Sequence, residues 1–171
     1  MKKEVRDKIK SIKLLATDVD GTLTDGGMYY TTKGDIMKKF HARDGMGVNL
    51  LKRKNIPTVL ITKEMNSINK KWANNMNIKK VYEGILEKEK LIKTLCNQFK
   101  IKSEEICYIG DDVNDVELIK NVGLSACPAD ANDTVKKESD IILKTQGGKG
   151  ALREIVDLIM SVKFSKEKKI Y

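Results

Sequence analysis

Short apolar runs recur along the chain, each ending in a polar turn and followed by a stretch with helical spacing. Residues 12–16 form the first run, interrupted by Lys13, and 56–61, 80–82, 106–109, 123–127 and 140–143 are the others. Runs of this length, bounded by turn residues, read as strands buried on both faces. Helical patterns fill the intervals 44–54, 65–77, 87–100, 113–120 and 151–162. In 87–100, Leu91, Leu95 and Phe99 recur at i, i+4 and i+8, which makes one apolar stripe. Asp44 is placed to cap the helix over 44–54. Alternation of strand and helix predicts an α/β fold, a Rossmann-like parallel sheet with helices on both faces.

One stretch breaks the alternation. Two β-capable runs, 26–30 and 36–40, flank Thr32-Lys33-Gly34-Asp35 and predict a β-hairpin flap over about 26–41. Its Met28, Tyr30, Ile36 and Phe40 would be exposed on a lone chain, so packing against another subunit is expected. Residues 1–11 read as a charged leader with weak helical character. Residues 163–171 read as a polar tail, mobile unless a neighbouring subunit orders it. The expected organisation is a single domain over 1–171 with its core in 12–162.

Composition narrows the function classes. The net charge is +9, from 33 Lys+Arg against 24 Asp+Glu, but the lysines are scattered along helices and gathered at both ends. Aromatics are only 5% and no base-stacking motif appears, which argues against nucleic-acid binding and for a solvated surface that steers anionic substrates. No apolar run approaches membrane-spanning length and the first residues lack an apolar signal core, so a cytoplasmic location and no membrane partner are expected. Cys96, Cys107 and Cys127 lie far apart with only His41 to join them, which argues against zinc and disulfide frameworks.

The chemistry is carried first by Asp18-Val19-Asp20-Gly21-Thr22, directly after the first apolar run. Carboxylates at i and i+2 repel at a strand end unless a cation or a reacting electrophile lies between them. Gly21 allows a sharp exit, and Thr22 can pin it. The pair suits a carboxylate nucleophile, a second carboxylate as acid and base, and a Mg2+ ion neutralising both. A calcium loop is the rival reading, but it wants Gly and Glu where this chain has Leu23 and Tyr29. Thr62 ends the second apolar run and Gly110-Asp111-Asp112 follows another. In open parallel sheets ligands bind beyond the carboxyl ends of strands, so Asp18, Thr62 and Asp111 are expected at one edge.

These motifs, together with Lys88 and Asp115, resemble the haloacid dehalogenase-like phosphatase superfamily. The resemblance implies that Asp18 attacks phosphorus to form an aspartyl-phosphate, and that Asp20 protonates the leaving oxygen and then activates water. It implies that Thr62 donates to the phosphoryl group and that Lys88 neutralises the nucleophile. Asp18, the Asp20 carbonyl and Asp111 would hold magnesium, with Asp112 and Asp115 in support. The intervals Asp20–Thr62 and Thr62–Lys88 have no room for a separate cap domain, so walls for the site must come from a neighbouring subunit.

Within that superfamily the hairpin, residues 39–47 and residues 147–154 resemble 3-deoxy-D-manno-octulosonate 8-phosphate phosphatases, over 12–162. Close cousins act on 9-phosphates of sialic-acid-type sugars or are fused to cytidylyltransferases. The resemblance implies a homotetramer with hairpins meeting at its centre, in a pathway building lipopolysaccharide or sialic acids. Substrate contacts would fall on Asp20, His41, Ala42, Arg43, Asp44, Gly45, Asn49, Glu64, Trp72 and Lys88. Two positions depart from the octulosonate pattern: Thr62-Lys63-Glu64 replaces Thr-Gly-Arg, and Trp72 stands where Arg is common. Arg suits a sugar carboxylate, whereas Glu accepts from hydroxyl or amide groups, as in the nine-carbon branch. Eight- and nine-carbon sugar-acid phosphates both remain open, and a non-catalytic assembly domain is the reading from another class.

Overall fold

A computed structural model describes residues 1–167, without the side chains of Asp35 and Ile36. The strands are β1 (Leu14–Thr17), β2 (Tyr29–Thr31), β3 (Gly34–Met37), β4 (Thr58–Ile61), β5 (Val81–Tyr82), β6 (Ile106–Ile109), β7 (Leu124–Cys127) and β8 (Ile141–Ile142). The α-helices are α1 (Lys3–Ser11), α2 (Ala42–Arg53), α3 (Ser67–Asn75), α4 (Leu91–Phe99), α5 (Val116–Asn121), α6 (Asp133–Glu138) and α7 (Ala151–Lys163).

Six strands pair in parallel in the order β5-β4-β1-β6-β7-β8. Side chains alternate across each strand, so a strand covered on both sides is mostly apolar on both faces. Accordingly Leu15, Leu60, Cys107 and Ile109 join one core with Leu51 of α2, Ala73 of α3 and Ile155 of α7. Leu14, Ala16, Ile61 and Tyr108 join a second core with Leu95 of α4, Leu118 of α5 and Val135 of α6. Each fully buried Leu or Ile contributes roughly 1.5–3 kcal/mol, and together they drive assembly of the sheet. Strand β1 lies between β4 and β6, where the order turns from one side to the other. Parallel sheets open a crevice at the carboxyl ends of such strands.

No separate cap domain rises from the sheet among the described residues. The predicted hairpin forms as β2 and β3, antiparallel and outside the main sheet, with a bridge between Thr24 and Phe40 at its base. Met28, Tyr30 and Met37 are exposed, but Phe40 is half-buried, its ring stacked on Trp72 at 4.8 Å between centroids. Of the expected apolar set, the Ile36 side chain lies outside the described residues.

Several local expectations are revised by tertiary contacts. Helix α2 starts earlier than predicted, and its cap is His41, whose Nδ1 accepts from the Arg43 amide at 3.3 Å. Asp44 is wholly buried instead and accepts from the Arg153 amide of α7 at 2.8 Å. The stretch 87–100 begins with a 3-10 turn over Lys88–Lys90, in which Lys88 is buried. Residues 1–11 hold a full helix with Ile9 in the core. Helix α6 has no strong apolar period and was not predicted; it is capped by Asn132, which accepts from Thr134. The expected tail begins folded. Lys163 Nζ donates to the carbonyls of Lys10 at 2.7 Å and Ile12 at 2.6 Å, and Glu167 pairs with Lys54. Residues 168–171 lie outside the described residues. No helix among the described residues is long and apolar enough to cross a membrane.

Candidate active site

Three strand ends deliver the polar residues to one edge. Asp18 follows β1, Thr62 follows β4, and Asp111 and Asp112 follow β6. Gly21, at φ +94°, turns the chain away after Asp20, and any side chain there would collide with the Asp111 carboxylate. Thr22 Oγ1 donates to Asp111 Oδ1 at 3.0 Å, linking the loops after β1 and β6. Gly148, at φ +65°, donates its amide to the Thr22 carbonyl at 3.1 Å, so the glycine turn before α7 braces the same loop.

Lys88 reaches the edge from below. Its ammonium is fully buried and donates to Asp18 Oδ1 at 2.5 Å and Asp115 Oδ1 at 2.6 Å. Tyr108 of β6 donates its hydroxyl to the same Asp115 oxygen at 2.6 Å. The other Asp115 oxygen accepts from the amides of Asp111 at 2.9 Å and Asp112 at 3.2 Å. Asp115 is thus saturated on both oxygens and fixes both Lys88 and the loop after β6. Asp112 is exposed and caps the 3-10 turn Val113–Asp115.

The electrostatics are unbalanced. Burial pushes the Asp18 carboxyl well above the ordinary range; Lys88 opposes this, while the charges of Asp115 and Asp111 add to it. Burial, reinforced by Asp115, raises Asp111 to about 7. For Lys88, burial alone would disfavour the charge, but Asp18 and Asp115 outweigh it and hold the ammonium protonated. Asp18, Asp111 and Asp115 bring carboxylate oxygens within 4.8 Å of one another. A hard divalent cation prefers an all-oxygen set like this one and would balance charge that one lysine does not. Because both Asp115 oxygens are engaged, Asp18 and Asp111 are the side chains with capacity for such an ion.

A haloacid dehalogenase-like hydrolase family model matches residues 46–155. The chain belongs to this family. The 3-deoxy-D-manno-octulosonate 8-phosphate phosphatase KdsC of Haemophilus influenzae is 38% identical over 156 residues, which cover 91% of this chain and 87% of that protein. The cobalt-bound structure of the deoxy-D-mannose-octulosonate 8-phosphate phosphatase YrbI from H. influenzae superposes with a TM-score of 0.89 at 38% identity, covering 92% of each chain. A 3-deoxy-D-manno-octulosonate 8-phosphate phosphatase from Moraxella catarrhalis, solved with magnesium, phosphate and KDO, superposes with a TM-score of 0.92 at 30% identity, covering 96% of this chain and 95% of that one. The family and these relatives make the chain a phosphatase, with the capless α/β fold expected from its sequence.

The remaining predicted residues separate into groups. Asp20 is half-buried and bound through Oδ1 to Lys38 at 2.7 Å. Thr62 is buried, and its Oγ1 accepts from the Glu64 amide at 3.2 Å, which directs the hydroxyl proton elsewhere. Glu64 Oε2 lies 3.6 Å from Lys38. His41, Ala42, Gly45, Asn49 and Trp72 line one cleft of about 460 Å³ with Phe40, Met46 and Met76. Arg43 lies in a different depression with Lys149, Arg153 and Asp157. Asp44, facing α7, is not brought to either.

Two residues of the site were missed from sequence. Tyr108 carried a signal, since a hydroxyl inside an apolar strand needs a partner. Lys38 carried none, because Lys38-Lys39 reads as an ordinary exposed pair.

Proposed function

We propose that this phosphatase hydrolyses the phosphate monoester of a 3-deoxy-2-ulosonic acid of the octulosonate 8-phosphate type, with magnesium and through an aspartyl-phosphate on Asp18. The observation that carries this reading is the buried Lys88 held between Asp18 and Asp115, with Asp111 alongside. Such an arrangement keeps a buried carboxylate in place, where it can act as a nucleophile. Magnesium, held by Asp18, Asp111 and the Asp20 carbonyl, would neutralise phosphoryl charge when bound. Asp18 attacks phosphorus, and Asp20 gives a proton to the departing sugar oxygen. Thr62 donates its hydroxyl to a phosphoryl oxygen. Asp20 then takes a proton from the water that cleaves the aspartyl-phosphate, which restores Asp18. Asp115 and Tyr108 hold Lys88, and Asp112 supports the loop.

The cleft that runs from His41 to Asn49 and Trp72 is a candidate place for the sugar, with Glu64 and Lys38 at the reacting end. Glu64 in place of the octulosonate enzymes' Arg supports a second reading, an acylneuraminate-type 9-phosphate. Exposed Met28, Tyr30 and Met37 on the hairpin support a homotetramer in which a neighbouring subunit completes the site. Nothing in this reading calls for nucleic acid or a membrane, and it suits a cytoplasmic enzyme.

Steady-state phosphate release from the eight- and nine-carbon esters, with and without magnesium, tests the proposal. Preferential, magnesium-dependent turnover of the eight-carbon ester is expected. Preference for the nine-carbon ester would install the second reading, and undiminished turnover by Asp18→Asn would remove the nucleophile.

A further inference from the structure

Lys38 is a lysine where lysines are rarely found. Only 1% of its side chain is exposed, although it leaves a hairpin whose other face lies in solvent. Charged groups are buried at this depth only when paired, so its partners define its purpose. It donates to Asp20 Oδ1 at 2.7 Å and lies 3.6 Å from Glu64 Oε2. The second Asp20 oxygen, Oδ2, is buried with no hydrogen-bond partner. One oxygen is therefore clamped and the other is kept unoccupied. Each carboxylate of the Asp18-Val19-Asp20 pair has its own buried lysine: Lys88 on Asp18, from the 3-10 turn before α4, and Lys38 on Asp20, from the hairpin.

We propose that Lys38 is the positioning residue of the acid–base carboxylate, fixing the Asp20 rotamer so that Oδ2 faces the leaving oxygen, and that leaving-group protonation thereby depends on the docked hairpin. The inference rests on the phosphatase mechanism above. In the first step the O–P bond to Asp18 forms and the ester O–P bond breaks. The proton on Asp20 passes to the departing alkoxide, which leaves as the alcohol. Asp20 becomes a carboxylate, and the Lys38 ammonium faces the charge created. In the second step that carboxylate takes a proton from water as water oxygen bonds to phosphorus and Asp18 departs. An acid that can swing away from the leaving oxygen performs neither transfer, because general acid–base catalysis depends on hydrogen-bond reach before anything else.

A change of leaving group separates this role from two others. Alkyl phosphates such as the sugar-acid esters need the proton, whereas p-nitrophenyl phosphate has a leaving group that departs without it. In Lys38→Met, kcat on the sugar-acid ester that the wild type prefers should fall about a hundredfold with KM little changed. On the aryl ester kcat should fall no more than about threefold, on the same general acid–base scale. Asp20→Asn should show the same selective loss, and the double variant should be no worse than Asp20→Asn alone, as expected for residues acting through one group. Lys38→Arg keeps the charge and should show a smaller loss of the same selectivity, which provides the test should Lys38→Met fail to fold. Equal losses on both esters would make Lys38 a mere staple of the hairpin and overturn the proposal. A rise in KM for both at unchanged kcat would make it a substrate-binding cation and overturn it equally. Wild-type turnover of the two esters reports on the phosphatase mechanism itself, whereas the proposal is read only from the ratio between them.

Discussion

Lys88 is the residue on which the site depends most, because it places one ammonium between two carboxylates where water does not reach. Removing one partner of a buried ion pair leaves uncompensated charge, with a penalty larger than the pair's own net contribution. Lys88→Met is expected to lower stability by about 3–5 kcal/mol, read from urea unfolding of the metal-free protein. Asp18→Asn keeps the size of the side chain and removes the nucleophile, so phosphate release should drop by at least about a thousandfold with the unfolding midpoint largely retained. Gly21 shows a different dependence. Its positive φ and its approach to Asp111 leave no room for a methyl group. Gly21→Ala should displace the Asp111 carboxylate and weaken Mg2+ binding by about tenfold or more, measured by calorimetry.

Helices α2 and α7 are joined by a buried carboxylate rather than by apolar contact alone. Asp44 accepts from the Arg153 amide, its Oδ2 has no partner, and burial raises it to about 6. The sign of the pH effect follows from the direction of that shift. A carboxyl whose folded value lies above its unfolded value near 3.8 binds its proton more tightly when folded. Its contribution is fully present below the unfolded value and is lost as pH rises through about 6. Stability should therefore fall between about pH 4 and 6 by up to roughly 3 kcal/mol relative to Asp44→Asn, which keeps the acceptor and does not ionise. Denaturation midpoints of the two proteins across that range check this. The hairpin contrasts with this junction, because its base is fixed through Lys38, Phe40 and the Thr24 bridge while Met28, Tyr29 and Tyr30 are exposed.

At the scale of the whole molecule, a sheet that turns at β1 gathers the site at one edge, and no lid covers it among the described residues. A capless site needs a wall, and an exposed apolar hairpin needs cover, so one assembly can meet both demands. Sedimentation should give a four-chain mass, and Tyr30→Glu with Met37→Glu should shift it to smaller species with reduced turnover of the sugar-acid ester. Removal of divalent ions by EDTA should abolish phosphate release and magnesium should restore it, since the acidic cluster has one lysine against several carboxylates.

The sequence determined what periodicity and short motifs can encode. Apolar runs and helical stripes are local, so the parallel sheet, the hairpin and the strand-end positions of Asp18, Thr62 and Asp111 were legible. The Asp-x-Asp-Gly-Thr pattern was legible too, because like charges that close need an unusual reason. Other features depend on where distant segments meet. Asp44 looked like a helix cap, yet α7 lies against it and turns it into a buried tie, while His41 does the capping. Lys38 looked like one more surface lysine, and only the folding of the hairpin over the sheet edge sets it against Asp20. Tyr108 lies within the apolar run 106–109, and only the fold places its hydroxyl on Asp115. Burial converts an ordinary charge into a strong and directional one, and burial is a property of the tertiary structure alone.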